Sequence, residues 1–200
     1  MTYDYIIIGG GILGISTAWQ LHQRFPKKKL LLLEKEPEYS KHQTGHNSGV
    51  IHAGVYYTPG SLKAKFCKAG IVATMAFCDQ NDVLYDKCGK LLVATNKLEV
   101  ERMHEIFERC QRNEIDVELL DAQQLKSLEP NIFGLCAIFV KETAIVNYQQ
   151  ITNKMVGLFV KMGGDARLNH KVVELRESKD KVTVIVRHNG EKAAFKGRFL

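Results

Sequence analysis

The sequence predicts an α/β fold, and three observations in its first 34 residues predict it. Tyr5-Ile6-Ile7-Ile8 is continuously apolar, the pattern of a strand covered on both faces. Gly9-Gly10-Gly11-Ile12-Leu13-Gly14 follows at once and fits G-x-G-x-x-G. Beyond it Ile15, Ala18, Trp19 and Leu21 recur at helical spacing, Pro26 breaks the run, and a second apolar strand, Leu30-Leu31-Leu32-Leu33, ends in Glu34. Strand, helix and strand in that order describe a βαβ unit with parallel strands.

Each glycine has a physical role in that unit. Gly9 permits the tight turn out of the strand, Gly11 lets the backbone approach a pyrophosphate, and Gly14 allows the helix to pack close. The phosphates need no side chain, because the free N–H groups and the dipole of the helix start attract them. Glu34, 20 residues past Gly14, stands where a carboxylate accepts hydrogen bonds from ribose hydroxyls and disfavours a 2'-phosphate. The plainer alternative is a βαβ unit with an ordinary glycine-rich turn and a surface glutamate.

The composition, 200 residues with 45% hydrophobic and 25% charged, is that of a globular chain able to bury a core. A formal net charge of +6 suits anionic ligands. It does not argue for nucleic acid, since the lysines are scattered and Lys27-Lys28-Lys29 has the look of a solvated turn. Five cysteines without C-x-x-C spacing are expected as reduced, buried thiols in a cytoplasmic protein. No apolar run reaches the length of a membrane span, and the chain enters its first strand without room for a signal peptide.

The segment from His42 to Gly60 is too rich in glycine and hydrogen-bonding side chains for a plain connection. His42, His46 and His52 invite a metal reading. Gly45 and Gly49 break the helix that would align them, and no carboxylate or cysteine completes a ligand set, so no metal is expected. Small residues and donors in this pattern suit a loop lying along the ribityl chain and ring of a flavin.

Three runs together carry a resemblance: Gly9 to Gly14, Leu33-Glu34-Lys35-Glu36, and His42-Gln43-Thr44-Gly45-His46-Asn47-Ser48-Gly49-Val50-Ile51-His52-Ala53-Gly54-Val55-Tyr56-Tyr57. They closely resemble the FAD-dependent L-2-hydroxyglutarate dehydrogenases or oxidases of the D-amino-acid-oxidase-like flavoprotein superfamily. The likeness continues through Pro59 to Lys65, Cys88-Gly89-Lys90-Leu91, Glu129-Pro130-Asn131 and, more loosely, Ala144-Ile145-Val146. It implies a Rossmann-like FAD-binding domain with an inserted mixed α+β substrate or cap domain, truncated to the N-terminal half of such an enzyme. The expected parts are 1–83 and 148–200 for FAD and 84–147 for the cap. FAD contacts fall by this resemblance on Gly9, Gly11, Ile12, Gly14, Glu34, Lys35, Thr44, Gly45, His46, Asn47 and Ser48.

Later elements follow from periodicity. Ser61 to Asn81 is expected as a helix burying Leu62, Phe66, Ala69, Ala73 and Phe77. Lys63, Lys65 and Lys68 form a solvated face or attract a dicarboxylate, while Cys67 and Cys78 pack as small hydrophobes. Strands follow at Val83 to Tyr85 and Lys90 to Ala94, then a helix from Leu98 to Arg112 with Leu98, Met103, Ile106, Phe107 and Cys110 inward. Val117 to Leu120 is a strand, and Asp121 with Gln124 starts a short helix in a capping-box pattern. Strands at Gly134 to Val140 and Ala144 to Val146 precede a helix from Tyr148 to Met162, inward through Ile151, Met155, Leu158, Phe159 and Met162 and ended by Gly163-Gly164. Val172 to Leu175 and Val182 to Val186 are strands, and Asn189-Gly190 is a hairpin turn. The resemblance points to the backbone of Val172 as an adenine contact; Val172 as a core residue stands beside it.

For the complete enzyme the resemblance implies oxidation of L-2-hydroxyglutarate to 2-oxoglutarate, with hydride transfer to the flavin and electrons passed to quinone or oxygen. His52 is the candidate base, because imidazole titrates near neutrality, and a structural histidine is the alternative. A related flavoprotein with another substrate and an inactive nucleotide-binding fragment are the other readings. A cytoplasmic protein that can dock peripherally on the inner membrane is expected.

Overall fold

The computed structural model describes residues 2–200. Contacts divide the chain in two: the segment ending at Asn47 belongs with Asn147–Leu200, and Ser48–Val146 forms a second unit. The first boundary differs from the 83/84 expected. The physical reason is a pairing invisible to local pattern: Val50 and Ile51 form an antiparallel bridge with Ile145 and Ala144 and so tie residues 48–83 to the second unit.

The first unit opens with strand β1 (Thr2–Ile8), helix α1 (Ile12–Arg24) and strand β2 (Leu30–Leu33). β1 and β2 pair in parallel, from Tyr5 opposite Leu30 to Ile8 opposite Leu33. All four leucines of β2 are buried, as a strand with both faces covered must be. The second unit holds strand β3 (Val50–Ile51), helix α2 (Leu62–Gln80), strands β4 (Tyr85–Asp86) and β5 (Lys90–Ala94), and helix α3 (Lys97–Arg112). Strand β6 (Val117–Asp121), helix α4 (Ala122–Leu128) and strands β7 (Cys136–Val140) and β8 (Ala144–Val146) complete it. The chain then returns through helix α5 (Tyr148–Lys161) and strands β9 (Asp165–Arg167), β10 (Lys171–Ser178), β11 (Lys181–His188) and β12 (Glu191–Phe199).

The sheet of the first unit runs β10-β11-β12-β1-β2-β9. Its β12, β1, β2 and β9 are parallel, and β10, β11 and β12 form an antiparallel meander. Tyr3, Ile6, Leu31, Leu33, Val182, Val184 and Val186 make one buried cluster. At the last hairpin Asn189 and Gly190 have φ of 50° and 87°, the paired positive values that a type I′ turn demands.

The second unit contains two antiparallel three-stranded sheets, β3-β8-β4 and β5-β7-β6. Its helix starts are chemically capped. Ser61 accepts from the Ala64 amide, Asn96 from the Glu99 amide, and Asp121 and Gln124 form the reciprocal capping box.

The apolar stripe expected on α2 is not a buried face. Leu62 and Phe66 are 68% and 71% exposed and Ala69 and Ala73 are exposed; of the expected stripe Phe77 alone is buried, together with Ile71 and Cys78. Small and apolar residues lie all round this helix, so several faces satisfy the same period and packing chooses among them. Leu98 at the start of α3 and Met162 after α5 are likewise exposed. β9 had no signal: Asp-Ala-Arg lacks an apolar run, and the strand exists because it pairs with β2 and is fastened by its own charges. There the Tyr3 hydroxyl donates to Asp165 Oδ2 at 2.6 Å, and Arg167 Nε and Nη2 donate to the same carboxylate at 3.0 and 2.8 Å.

Candidate functional site

The site of the first unit is built on the turn between β1 and α1. Gly9 has φ +105°, a conformation that side chains rarely adopt, and its amide donates to Leu33 O at 2.8 Å. A Cβ at Gly14 would stand 1.9 Å from the Gly9 carbonyl oxygen, so only glycine lets the helix begin this close to the strand. Gly11 is the N-cap and offers no side-chain cap, and no acidic residue sits in the first turn. The helix start therefore keeps its positive end open, with first-turn amides that lack intrahelical acceptors.

Two side chains from elsewhere lock this turn. Glu34, 7% exposed, accepts from the Gly10 amide through Oε2 at 2.6 Å and from the Glu36 amide through Oε1 at 2.9 Å. A carboxylate has about four acceptor sites, so two bonds leave capacity for a ligand hydroxyl. Thr44 Oγ1 accepts from the Ile12 amide at 3.0 Å. Its segment folds on itself: Gly45 N donates to His42 O, Asn47 Nδ2 donates to Gln43 O and Thr44 O, and His46 Nδ1 bonds His42 O. A Cβ at Gly45 would lie 2.3 Å from Ser40 O, which explains the glycine there.

Between these parts lies a cavity of about 350 Å³ lined by Gly11, Ile12, Glu34, Ser40, Thr44 and Asn47, among others. Ser40 carries no sequence signal and is the residue that pattern reasoning missed. It is 3% exposed, holds φ +64°, lines the cavity, and its buried Oγ has no hydrogen-bond partner among the described residues. An orphaned buried hydroxyl costs about 1–3 kcal/mol unless a ligand meets it. Tyr39 packs across Gly10, and burial, with the Glu34 and Asp165 carboxylates, pushes its phenol up from its ordinary value.

The remaining expected residues are placed as follows. Lys35 is exposed and lies 3.7 Å from Glu36, and His46 is exposed outside the cavity lining. Glu36 also bonds His42 Nε2 at 2.9 Å, and this contact holds its carboxyl below the usual range. Val172 is half-buried against the core cluster and opposite Val186, just past Asn169 and His170, whose amides donate to Glu36 O and Glu34 O. Ser48 and His52 belong to the second unit and are exposed there. Among the thiols, burial pushes Cys67, Cys78, Cys110 and Cys136 up from the ordinary value.

An open helix start beside a buried carboxylate at the tip of the next strand is a cradle for the ADP part of a dinucleotide. Residues 4–196 match the family described as FAD dependent oxidoreductase, DAO. The chain belongs to that family. L-2-hydroxyglutarate dehydrogenase of Escherichia coli (strain K12) is 54% identical over 189 residues, 94% of this chain and 45% of that protein. The mitochondrial L-2-hydroxyglutarate dehydrogenase of Caenorhabditis elegans is 44% identical over 179 residues, 89% of this chain and 41% of that protein. The solved L-alpha-glycerophosphate oxidase from Mycoplasma pneumoniae with FAD bound aligns at TM-score 0.89 and 23% identity over 99% of this chain and 53% of that one, a likeness of fold. The chain spans about half the length of the curated relatives it matches.

FAD is the cofactor of this oxidoreductase family, and the residues present fit it. Gly11 leaves the backbone bare at the cavity wall, where a Cβ would stand 3.1 Å from Thr44 Oγ1, Glu34 keeps acceptor capacity, and Ser40 holds an unpaired hydroxyl there. The first-turn amides of α1 would hold the diphosphate and Glu34 the ribose.

Proposed function

We propose that the complete protein oxidises L-2-hydroxyglutarate to 2-oxoglutarate. The observation supporting this reading is the 54% identity over 189 residues, 94% of the chain, to an enzyme of that name. FAD, when bound, supplies the two-electron oxidant for the C2–H bond. The chain's own residues bind and orient: the first-turn amides of α1 other than that of Ile12, which donates to Thr44, together with the Glu34 carboxylate and the Ser40 hydroxyl, hold the nucleotide. Lys35, Gly45, His46, Ser48 and the Val172 backbone extend its contacts in this reading. His52 accepts the proton released from the substrate hydroxyl; it is exposed, and its carbonyl is pinned by Cys67 Sγ at 2.9 Å. Electrons leave to a quinone or to oxygen, with peripheral docking at the inner membrane. Among the described residues no helix is long and apolar enough to cross a membrane.

The test uses the full-length, FAD-loaded protein under anaerobic conditions. L-2-hydroxyglutarate should bleach the oxidised flavin while glycerol 3-phosphate and amino acids do not; bleaching by one of those instead would reassign the substrate. His52→Gln should slow the bleaching and change its pH profile. An unchanged rate and pH profile would place the base elsewhere.

A further inference from the structure

The second unit contains a small pocket of its own, about 190 Å³, walled by residues 52–57, Lys90 and Thr143. Among the described residues no aspartate or glutamate lines it. Its main wall is fixed from two helices. From α2, Cys67 Sγ donates to His52 O at 2.9 Å; from α3, Asn113 Nδ2 donates to Tyr57 O at 2.8 Å and Arg109 Nη1 to Tyr56 O at 3.4 Å. Gly54, at φ +82°, closes the turn by accepting from the Tyr57 amide at 3.0 Å. Ala53 and Val55 are buried beneath, while the Tyr56 and Tyr57 side chains stand exposed at the rim.

Lys90 enters this wall from the first position of β5, where it pairs with Val140. It is half-buried, and it forms no ion pair with any described residue; its ammonium stands 5.6 Å from the centroid of the Tyr56 ring. A cation–π contact at a partly exposed site is worth about 0.5–1 kcal/mol, and a hydrogen bond to a charged group about 1.5–3 kcal/mol. The lysine therefore has free donors in a pocket whose described lining holds no carboxylate to meet them. One point charge over apolar and aromatic walls suits a carboxylate on a short methylene stem. A phosphate usually meets an arginine fork or a set of helix N-terminal amides.

We infer that this pocket binds a carboxylate of the substrate, with Lys90 as its counterion. The inference rests on the reading that the substrate is a 2-hydroxy dicarboxylate, and it adds a specificity residue outside the nucleotide cradle. Lys90 is a point charge, so its removal should cost binding while the fold, which uses the strand pairing at this position and only one exposed cation–π contact of the side chain, persists.

The decisive measurement needs no turnover. Glutarate, a redox-inert dicarboxylate, is titrated calorimetrically into the full-length FAD-loaded protein and its Lys90→Met and Lys90→Arg variants. Glutarate should bind the parent protein, Lys90→Met should weaken it by about 10-fold or more, and Lys90→Arg should stay within about threefold. In steady state the Lys90→Met loss should fall on KM for L-2-hydroxyglutarate, and comparison with L-2-hydroxypentanoate assigns the carboxylate. A loss for both places Lys90 at C1, a loss for the dicarboxylate alone at C5. Equal glutarate affinity in parent and Lys90→Met, no glutarate binding by the parent, or inorganic phosphate bound as tightly as glutarate would each overturn the inference. A parent protein that binds glutarate through Lys90 but is not reduced by L-2-hydroxyglutarate would support the pocket and refute the substrate reading.

Discussion

Ser40 holds a buried hydroxyl without a partner in a backbone conformation that serine seldom takes, beside the open start of α1. Both features oppose folding and both are met by a polar ligand in the cavity. Ser40→Ala should therefore leave the melting temperature of the FAD-free protein unchanged or slightly higher, because an unsatisfied group costing about 1 kcal/mol is gone. The same variant should bind FAD roughly 5–10-fold more weakly, the size of one lost hydrogen bond. Equilibrium dialysis against FAD checks it, and unchanged affinity would mean the hydroxyl faces no ligand atom. Gly9, Gly14 and Glu34 were legible in the sequence because each obeys a local requirement: a positive φ, a Cβ clash 1.9 Å from a carbonyl, and a carboxylate at a strand tip. Ser40 obeys none. Its meaning arises only where the chain after β2 turns back to donate the Ser40 amide to Gly10 O at 3.2 Å.

At the scale of elements, β9 shows how charge can hold a strand with no apolar pattern. Burial alone would raise the Asp165 carboxyl, but the bonds from Arg167 and the Tyr3 hydroxyl outweigh it and hold the group below the ordinary carboxylate range. A carboxyl depressed on folding stabilises the native state above its unfolded pKa of about 3.9, and that contribution is lost as pH falls through the folded value. Urea midpoints measured between about pH 6 and pH 2 should fall less steeply in acid for Asp165→Asn than for the parent, from a lower neutral-pH plateau. Identical acid limbs would show that the Tyr3–Asp165–Arg167 cluster does not couple to folding. Helix α2 presents the opposite case, an apolar pair one turn apart left in water by Leu62 and Phe66, 68% and 71% exposed. Such a pair binds hydrophobic dye and promotes association. Phe66→Ser with Leu62→Ser should lower both dye binding and concentration-dependent light scattering of this chain without loss of helicity. Period alone could not choose the buried face of α2, whereas β2, buried on every side, offered no choice to make.

For the whole molecule, FAD binding and stability are one equilibrium. A ligand that binds only the native state at 100 times its Kd stabilises it by about 2.7 kcal/mol. Calorimetry with FAD added should therefore raise the melting transition of the first unit by several degrees, roughly 10 °C for a domain of this size. No shift would mean that the cradle does not hold FAD. By itself the amino-acid sequence determined the βαβ start, the glycine turn, the carboxylate at the tip of β2, the capping box of α4 and the last hairpin, since each depends on neighbours a few residues away. Tertiary structure alone decided that Val50 and Ile51 pair with β8 and so move the unit boundary to residue 48, and that Asp165 fastens β9 beside β2. It also decided which buried hydroxyl and which unpaired lysine remain for ligands. Those outcomes depend on groups brought together from distant parts of the chain, and their free energy appears only after the chain has closed on itself.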